Sequence, residues 1–112
     1  MRIDQSIIDR LWEEQKGICA CGCGRPLTKS GPGKARAHHG IYTRDERFAE
    51  WLDMAENLFL IRDDCHKSEH GRLTNWFWRS LFWTEKLKFY DMHKWHDSIP
   101  MLVKDKFYEF DK

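Results

Sequence analysis

Residues 37–71 read AHHGIYTRDERFAEWLDMAENLFLIRDDCHKSEHG, and this segment decides the fold. It opens on the pair His38-His39, holds Asn57 in its middle, and closes on Cys65-His66 and His70. Four of the six histidines of the chain lie inside it. Because imidazole and thiolate are good ligands for transition metals, the segment has the composition of a metal site.

The segment has the pattern of two strands followed by a helix. Residues 35–42 are short enough for a strand, and the apolar run over 57–61 predicts a second, buried strand. A short helix is predicted between them, over 45–53. Asp63 or Asp64 is suited to cap a further helix, which Gly71 would stop. The predicted order of the principal elements is therefore strand, loop, strand, helix.

The two histidine pairs favour different jobs for their members. His66 and His70 are four residues apart, so on a helix both imidazoles project from one face and can hold one metal ion. Neighbours on a strand point to opposite faces, so His38 and His39 would seldom do the same job. One of them could face the metal while the other takes a proton from water, for which histidine has a suitable pKa.

The sequence predicts a single domain, 1–112, in which the regions on either side of this segment support it structurally. Residues 1–35 contain a helix that Asp4 caps and Gly17 ends, followed by a cysteine-rich turn. Residues 36–71 are the core, and residues 72–112 form an aromatic helical extension. The aromatic stripes of the extension are predicted to cover the strands rather than to stack on bases. Ser98 followed by Pro100 predicts the start of a last helix.

Composition excludes some classes of protein and leaves others open. The net charge is +1, which does not by itself indicate a nucleic-acid partner. No apolar run approaches the roughly 20 residues that span a bilayer, and the first residues lack a signal-peptide pattern. We therefore expect a cytoplasmic protein. In that reducing compartment, four cysteines favour metal binding over disulfides.

At this point the residues resemble the HNH endonuclease family, over roughly Leu11 to Gly71. The segments that carry the resemblance are Gln15-Lys-Gly-Ile-Cys19, Cys21-Gly-Cys-Gly-Arg-Pro-Leu27, His38-His39, Glu56-Asn57-Leu58, and Cys65-His66 through His70. The step from Asn57 to His66 fits the register of the family. The resemblance implies an α+β fold with a ββα-metal (His-Me finger) core and flanking helices, as in small stand-alone nucleases of phage type.

The resemblance also implies a role for each matched position. His39 would be the general base, and Asn57 would hydrogen-bond that base or its loop. The metal ligands would be His38, His66 and His70. A ligand set of imidazoles suits Zn, Ni, Mn or Co better than Mg, although Mg or Mn could still support turnover once phosphate and water complete the shell. The expected products carry 3′-hydroxyl and 5′-phosphate ends.

The cysteines depart from the pattern of many small HNH proteins, in which two Cys-x-x-Cys pairs hold a structural zinc and the second pair ends at the Cys-His dipeptide. Here Arg62 stands three positions before Cys65, and the upstream group is compressed to Cys-x-Cys-x-Cys. A tetrahedral zinc site remains available from four sulfurs: Cys19, Cys21, Cys23 and Cys65. The alternative is that the site has decayed and some of these residues are ordinary buried thiols.

The expected function is that of a metal-dependent DNA endonuclease, acting as a monomer or homodimer and nicking one strand of double-stranded DNA at a time. The predicted DNA contacts are Arg36, Arg62, Lys67 and Arg72. By analogy with phage-encoded members, DNA processing or packaging with a terminase in a bacterial host is an expectation. The alternatives are a non-catalytic zinc-bearing DNA-binding or packaging-accessory protein with the same fold, and a nuclease acting on RNA.

Overall fold

The computed structural model describes residues 3–101, apart from the side chain of His70. The fold is a mixed α+β arrangement of one two-stranded antiparallel sheet and several helices. The elements are α1 (Gln5–Glu14), β1 (Ala35–His39), α2 (Ala49–Leu52), β2 (Leu58–Arg62), α3 (Asp63–Leu73), α4 (Trp76–Lys86) and α5 (Met92–Ser98). Short 3₁₀ turns cover Gly31–Gly33, Glu46–Phe48 and Ala55–Asn57. None of the helices within 3–101 is long and apolar enough to cross a membrane.

The two strands pair so that His38 faces Phe59 and His39 faces Leu58 across the ladder. β2 is almost fully buried, as its apolar run predicts. β1 ends at His39, earlier than the predicted boundary at Tyr42. The chain turns away there because the backbone of Ile41 and Tyr42 binds the side chain of Asn57 instead of the neighbouring strand.

The outer edge of β2 is covered by polar groups from the N-terminal region. The Gln15 side chain accepts a hydrogen bond from the Leu60 N–H at 2.7 Å and donates one to the Leu60 carbonyl at 2.8 Å. The N–H of Ala20 reaches the same carbonyl, and the sulfur of Cys19 accepts from the N–H of Arg62. These contacts fasten the cysteine-rich turn to the sheet.

α3 follows β2 directly, and both of its predicted ends are wrong. Arg62 occupies the N-cap position, while Asp63 and Asp64 lie inside the first turn, where negative charge is favourable. The helix continues through Gly71 and ends at Leu73, which is fully buried. Burying a leucine offsets the roughly 1 kcal/mol that a glycine costs in a helix.

The C-terminal helices cover one side of the sheet. Phe82 of α4 packs against Phe59 with ring centroids 4.2 Å apart and ring planes inclined at 33°, and Trp95 of α5 is buried. Much of the aromatic content therefore lies in the core, as expected, although Trp76 and Phe77 are more than half exposed. Ser98 ends α5 rather than capping a new helix, and most of the predicted last helix falls outside the described residues.

Candidate metal centres and base histidine

His38 and His66 are brought together from different elements, β1 and α3. Their ring centroids are 5.6 Å apart, with the ring planes inclined at 72°. Two imidazoles that bind one tetrahedral metal at about 2.1 Å have centroids about 5 Å apart, so the separation of the two rings is compatible with one shared ion. His38 is buried and also meets the ring of Phe82, 5.8 Å away. The predicted third ligand, His70, lies on α3, but its side chain is outside the described residues.

His39 points to a different partner. Its Nε2 atom lies 2.7 Å from a carboxylate oxygen of Asp53, in the segment that joins the two strands. Both side chains are largely buried. Burial lowers the pKa of His39, while the hydrogen bond and the charge of Asp53 act in the opposite direction. Asp53 is in turn paired with Arg44, whose guanidinium approaches at 3.4 Å.

Asn57 is fully buried, and its side chain makes four hydrogen bonds to backbone groups. Its oxygen accepts from the N–H groups of Ile41 and Tyr42, at 3.1 and 2.8 Å. Its amide donates to the carbonyls of Tyr42 and Leu52, at 3.0 and 2.9 Å. Asn57 thus joins the turn that follows His39 to the end of α2, next to Asp53.

The segment between the strands, residues 40–57, is also held from the C-terminal side; we call it the insert. The buried Arg79 of α4 donates from Nε to the carbonyl of Ile41 at 2.7 Å. The indole of Trp95 on α5 donates to the carbonyl of Trp51 at 3.1 Å. The aromatic extension therefore fixes the position of the insert that carries Asp53.

The four cysteines converge, which confirms the predicted clustering. The sulfur atoms all lie within 4.8 Å of one another; they belong to Cys19, Cys21, Cys23 and Cys65. The Cys19–Cys21 sulfurs are 3.3 Å apart and the Cys23–Cys65 sulfurs 3.8 Å apart. In a tetrahedral site with Zn–S bonds of 2.3 Å, the sulfurs are about 3.8 Å apart. All four are free thiols.

The thiols differ in how readily they ionise. Burial raises the pKa of Cys21 and of Cys65 to about 11. Burial also acts to raise the pKa of Cys23, but hydrogen bonds from Arg25 and the neighbouring thiols outweigh it and bring that pKa to about 6. Cys23 is thus the thiol of the cluster that first offers the thiolate that a metal requires.

All four predicted DNA-contact residues have acidic partners. Arg36 and Lys67 both pair with Asp63, at 2.8 and 3.0 Å. Arg72 pairs with Glu69 at 2.6 Å, and its guanidinium lies over the ring of Trp78. Arg62 differs from these three because its side chain is only 14% exposed. It pairs with Asp64 and donates to the carbonyl of Pro26, so it links the start of α3 to the cysteine-rich turn and has a structural role.

Sequence reasoning missed two polar residues of this region, Asp53 and Arg79. Asp53 stands at the end of a short helix and belongs to no spacing motif. Arg79 lies in an aromatic helix where a charged residue would be expected on the exposed side. A buried charge requires a partner, but only the fold shows which one.

Comparisons with protein-family models, curated proteins and solved structures found no match to this chain.

Proposed function

We propose that this chain is a metal-dependent DNA endonuclease of the HNH type, with β1, β2 and α3 as its ββα-metal core. The observation that carries the proposal is the meeting of His38 from the strand and His66 from the helix, 5.6 Å between ring centroids. The strand–insert–strand–helix order and the resemblance of residues 11–71 support it.

In this proposal His38, His66 and His70 hold one divalent cation, Mg, Mn, Ni, Co or Zn. Such a cation polarises a scissile phosphate and stabilises charge on the leaving oxygen. His39 is the general base, and Asn57 keeps its loop in place through four hydrogen bonds. One centre per chain nicks one strand of double-stranded DNA and leaves 3′-hydroxyl and 5′-phosphate ends.

The basic residues suited to phosphate contact are Arg36, Lys67 and Arg72. The Arg36 side chain is about half exposed and that of Lys67 about three-quarters. Their shared partner, Asp63, places them side by side at the start of α3. Exposed ion pairs contribute about 0–1 kcal/mol, so exchanging a carboxylate for a DNA phosphate costs little. Arg62 is the weakest of the four candidates because its side chain is engaged in the fold.

The second part of the proposal is a structural zinc held by Cys19, Cys21, Cys23 and Cys65. The mutual approach of the four sulfurs supports it. This ion would join the cysteine-rich turn to the first turn of α3 and stiffen the catalytic unit. Elemental analysis tests it, with one zinc per chain expected in the parent, or two if zinc also fills the histidine site. A Cys65→Ser variant that keeps full zinc content would contradict it.

A nicking experiment tests the catalytic proposal. Purified protein is incubated with supercoiled plasmid and Mn or Mg, with and without chelator. We expect open-circular product only when the metal is available, and a loss of at least about 100-fold in rate for His39→Ala, the range of a general base. His93→Ala is the matched control, because His93 is an exposed histidine on α5 and should leave the rate unchanged.

Three results would contradict or redirect the proposal. Absence of any metal-dependent nick, or equal activity of His39→Ala and the parent, overturns the catalytic assignment. DNA binding without cleavage favours a zinc-bearing DNA-binding or packaging-accessory protein, whose partner could include a phage terminase. Faster cleavage of a matched RNA than of the DNA identifies an RNA nuclease.

A further inference from the structure

The contact between His39 and Asp53 assigns the two nitrogens of the imidazole ring to different tasks. Nε2 lies 2.7 Å from a carboxylate oxygen, a distance typical of a charge-assisted hydrogen bond. An ionised carboxylate only accepts hydrogen bonds, so the shared proton belongs to Nε2 in the neutral ring. Nδ1 is then the unprotonated atom, the one that can accept a proton from water.

The carboxylate of Asp53 is itself held in place. Arg44 pairs with both of its oxygens, at 3.4 and 3.5 Å. The two residues before it are anchored through their carbonyls, Leu52 by Asn57 and Trp51 by Trp95. These anchors come from the 3₁₀ turn just before β2 and from α5, so the position of Asp53 relative to β1 is defined by the surrounding fold.

We propose that Asp53 is the positioning residue of the reaction: it holds His39 in the Nε2–H tautomer and orients Nδ1 toward the attacking water. This inference rests on the proposed nuclease function, because it gives the base a defined atom. A purely structural account makes Asp53 no more than the partner of Arg44. The two accounts differ in what happens to the tautomer of His39.

The test uses the full chain with three variants. Asp53→Asn keeps the shape but can present an amide donor to Nε2, which reverses the tautomer. Asp53→Glu keeps the charge and should restore part of the activity. Glu50→Gln is the matched control, since it removes an exposed carboxylate from the same insert. Circular dichroism and zinc content establish that each variant is folded.

Two readouts are compared at pH 8. Long-range ¹H–¹⁵N spectra report which ring nitrogen of His39 carries the proton, and we expect Nε2 in the parent and in Glu50→Gln. Nicking kinetics should show kcat lowered at least about 10-fold in Asp53→Asn, part of the 100-fold or more that a general base contributes. KM should change by less than about two-fold, because DNA does not contact Asp53 in this proposal.

The outcomes separate this inference from the function on which it rests. If the parent does not nick DNA, the proposed function fails, and the spectra still decide the tautomer. If the parent nicks and His39→Ala does not, unchanged kcat in Asp53→Asn overturns the inference. A parent spectrum with the proton on Nδ1 overturns it as well.

Discussion

Asn57 shows how much one buried side chain can do. It satisfies the N–H groups of Ile41 and Tyr42, the carbonyl of Tyr42, and the carbonyl of Leu52 at the end of α2. Leaving a buried polar group unpaired costs about 1–3 kcal/mol. Because unfolding free energies are only about 5–15 kcal/mol, this residue supplies a large share of what keeps the insert folded.

An Asn57→Asp variant should lose about 3–5 kcal/mol of unfolding free energy. The carboxylate can still accept from Ile41 and Tyr42, but it cannot donate to the two carbonyls, and it buries a charge. Urea denaturation followed by circular dichroism measures the loss. Asn75→Asp is the control: Asn75 caps α4 through its side-chain oxygen, and aspartate caps equally well. A loss below about 1 kcal/mol for Asn57→Asp would contradict this account.

At the residue scale, sequence patterns identified the groups that recur at fixed spacings. The resemblance to the HNH family implies that His38 and His66 share one metal ion, and the cysteine pattern leaves a site of four sulfurs available; the structure brings both sets together. Asp53 could not be found in this way. Its contact with His39 depends on the path of the insert, which is set by hydrogen bonds to Asn57 and to the C-terminal helices rather than by any local pattern.

Among the elements, the insert depends on helices that follow it in sequence. α4 holds its beginning through Arg79 and Ile41, and α5 holds its middle through Trp95 and Trp51. Tyr42 packs against the Trp95 ring with centroids 5.7 Å apart. This gives the aromatic extension a role in placing the insert, which the aromatic composition alone did not indicate.

Trp95→Phe should loosen the insert more than the rest of the chain. The phenyl ring keeps most of the packing against Tyr42 but loses the donor to the Trp51 carbonyl, at a cost of about 1–2 kcal/mol. Hydrogen exchange should show faster exchange in residues 40–57 and little change in α1. Trp76→Phe, at an exposed position on α4, is the control. Equal acceleration throughout the chain would show that Trp95 has no particular link to the insert.

Sequence periodicity predicted most elements and missed some boundaries. The capped start of α1 at Asp4 is confirmed by the hydrogen bond from the Ser6 N–H. The predicted end of α3 was wrong because burial of Leu73 outweighed the tendency of Gly71 to end a helix. β1 was shorter than predicted because a side chain, Asn57, competed successfully for its last backbone groups.

In the whole molecule, the cysteine cluster connects regions far apart in sequence. Three sulfurs come from the turn after α1 and the fourth from the start of α3. The paired groups Glu14 and Lys86 join α1 to α4 in the same way, and burial lowers the pKa of that lysine to about 8. A small chain gains stability from such long-range links, because its core is modest.

Zinc should therefore raise the unfolding free energy of the parent. Once free zinc exceeds its dissociation constant, each tenfold increase adds about 1.4 kcal/mol, provided the ion binds only the folded chain. Thermal denaturation in zinc buffers of defined activity measures the slope. Cys65→Ser should flatten it, while Ser80→Ala, at an exposed position on α4, should leave it unchanged. A parent whose stability is independent of zinc would exclude a structural ion.

The covered edge of β2 has a consequence for how copies of this chain behave at high concentration. A bare strand edge recruits strands from other molecules and so promotes aggregation. On β2 the outward N–H groups of Leu58, Leu60 and Arg62 are already taken, by the Ala55 carbonyl, by Gln15 and by the Cys19 sulfur. At Leu60, the Gln15 side chain makes the two hydrogen bonds that a neighbouring strand would make. With the other two N–H groups also bonded, this edge of β2 is closed to strands of other molecules.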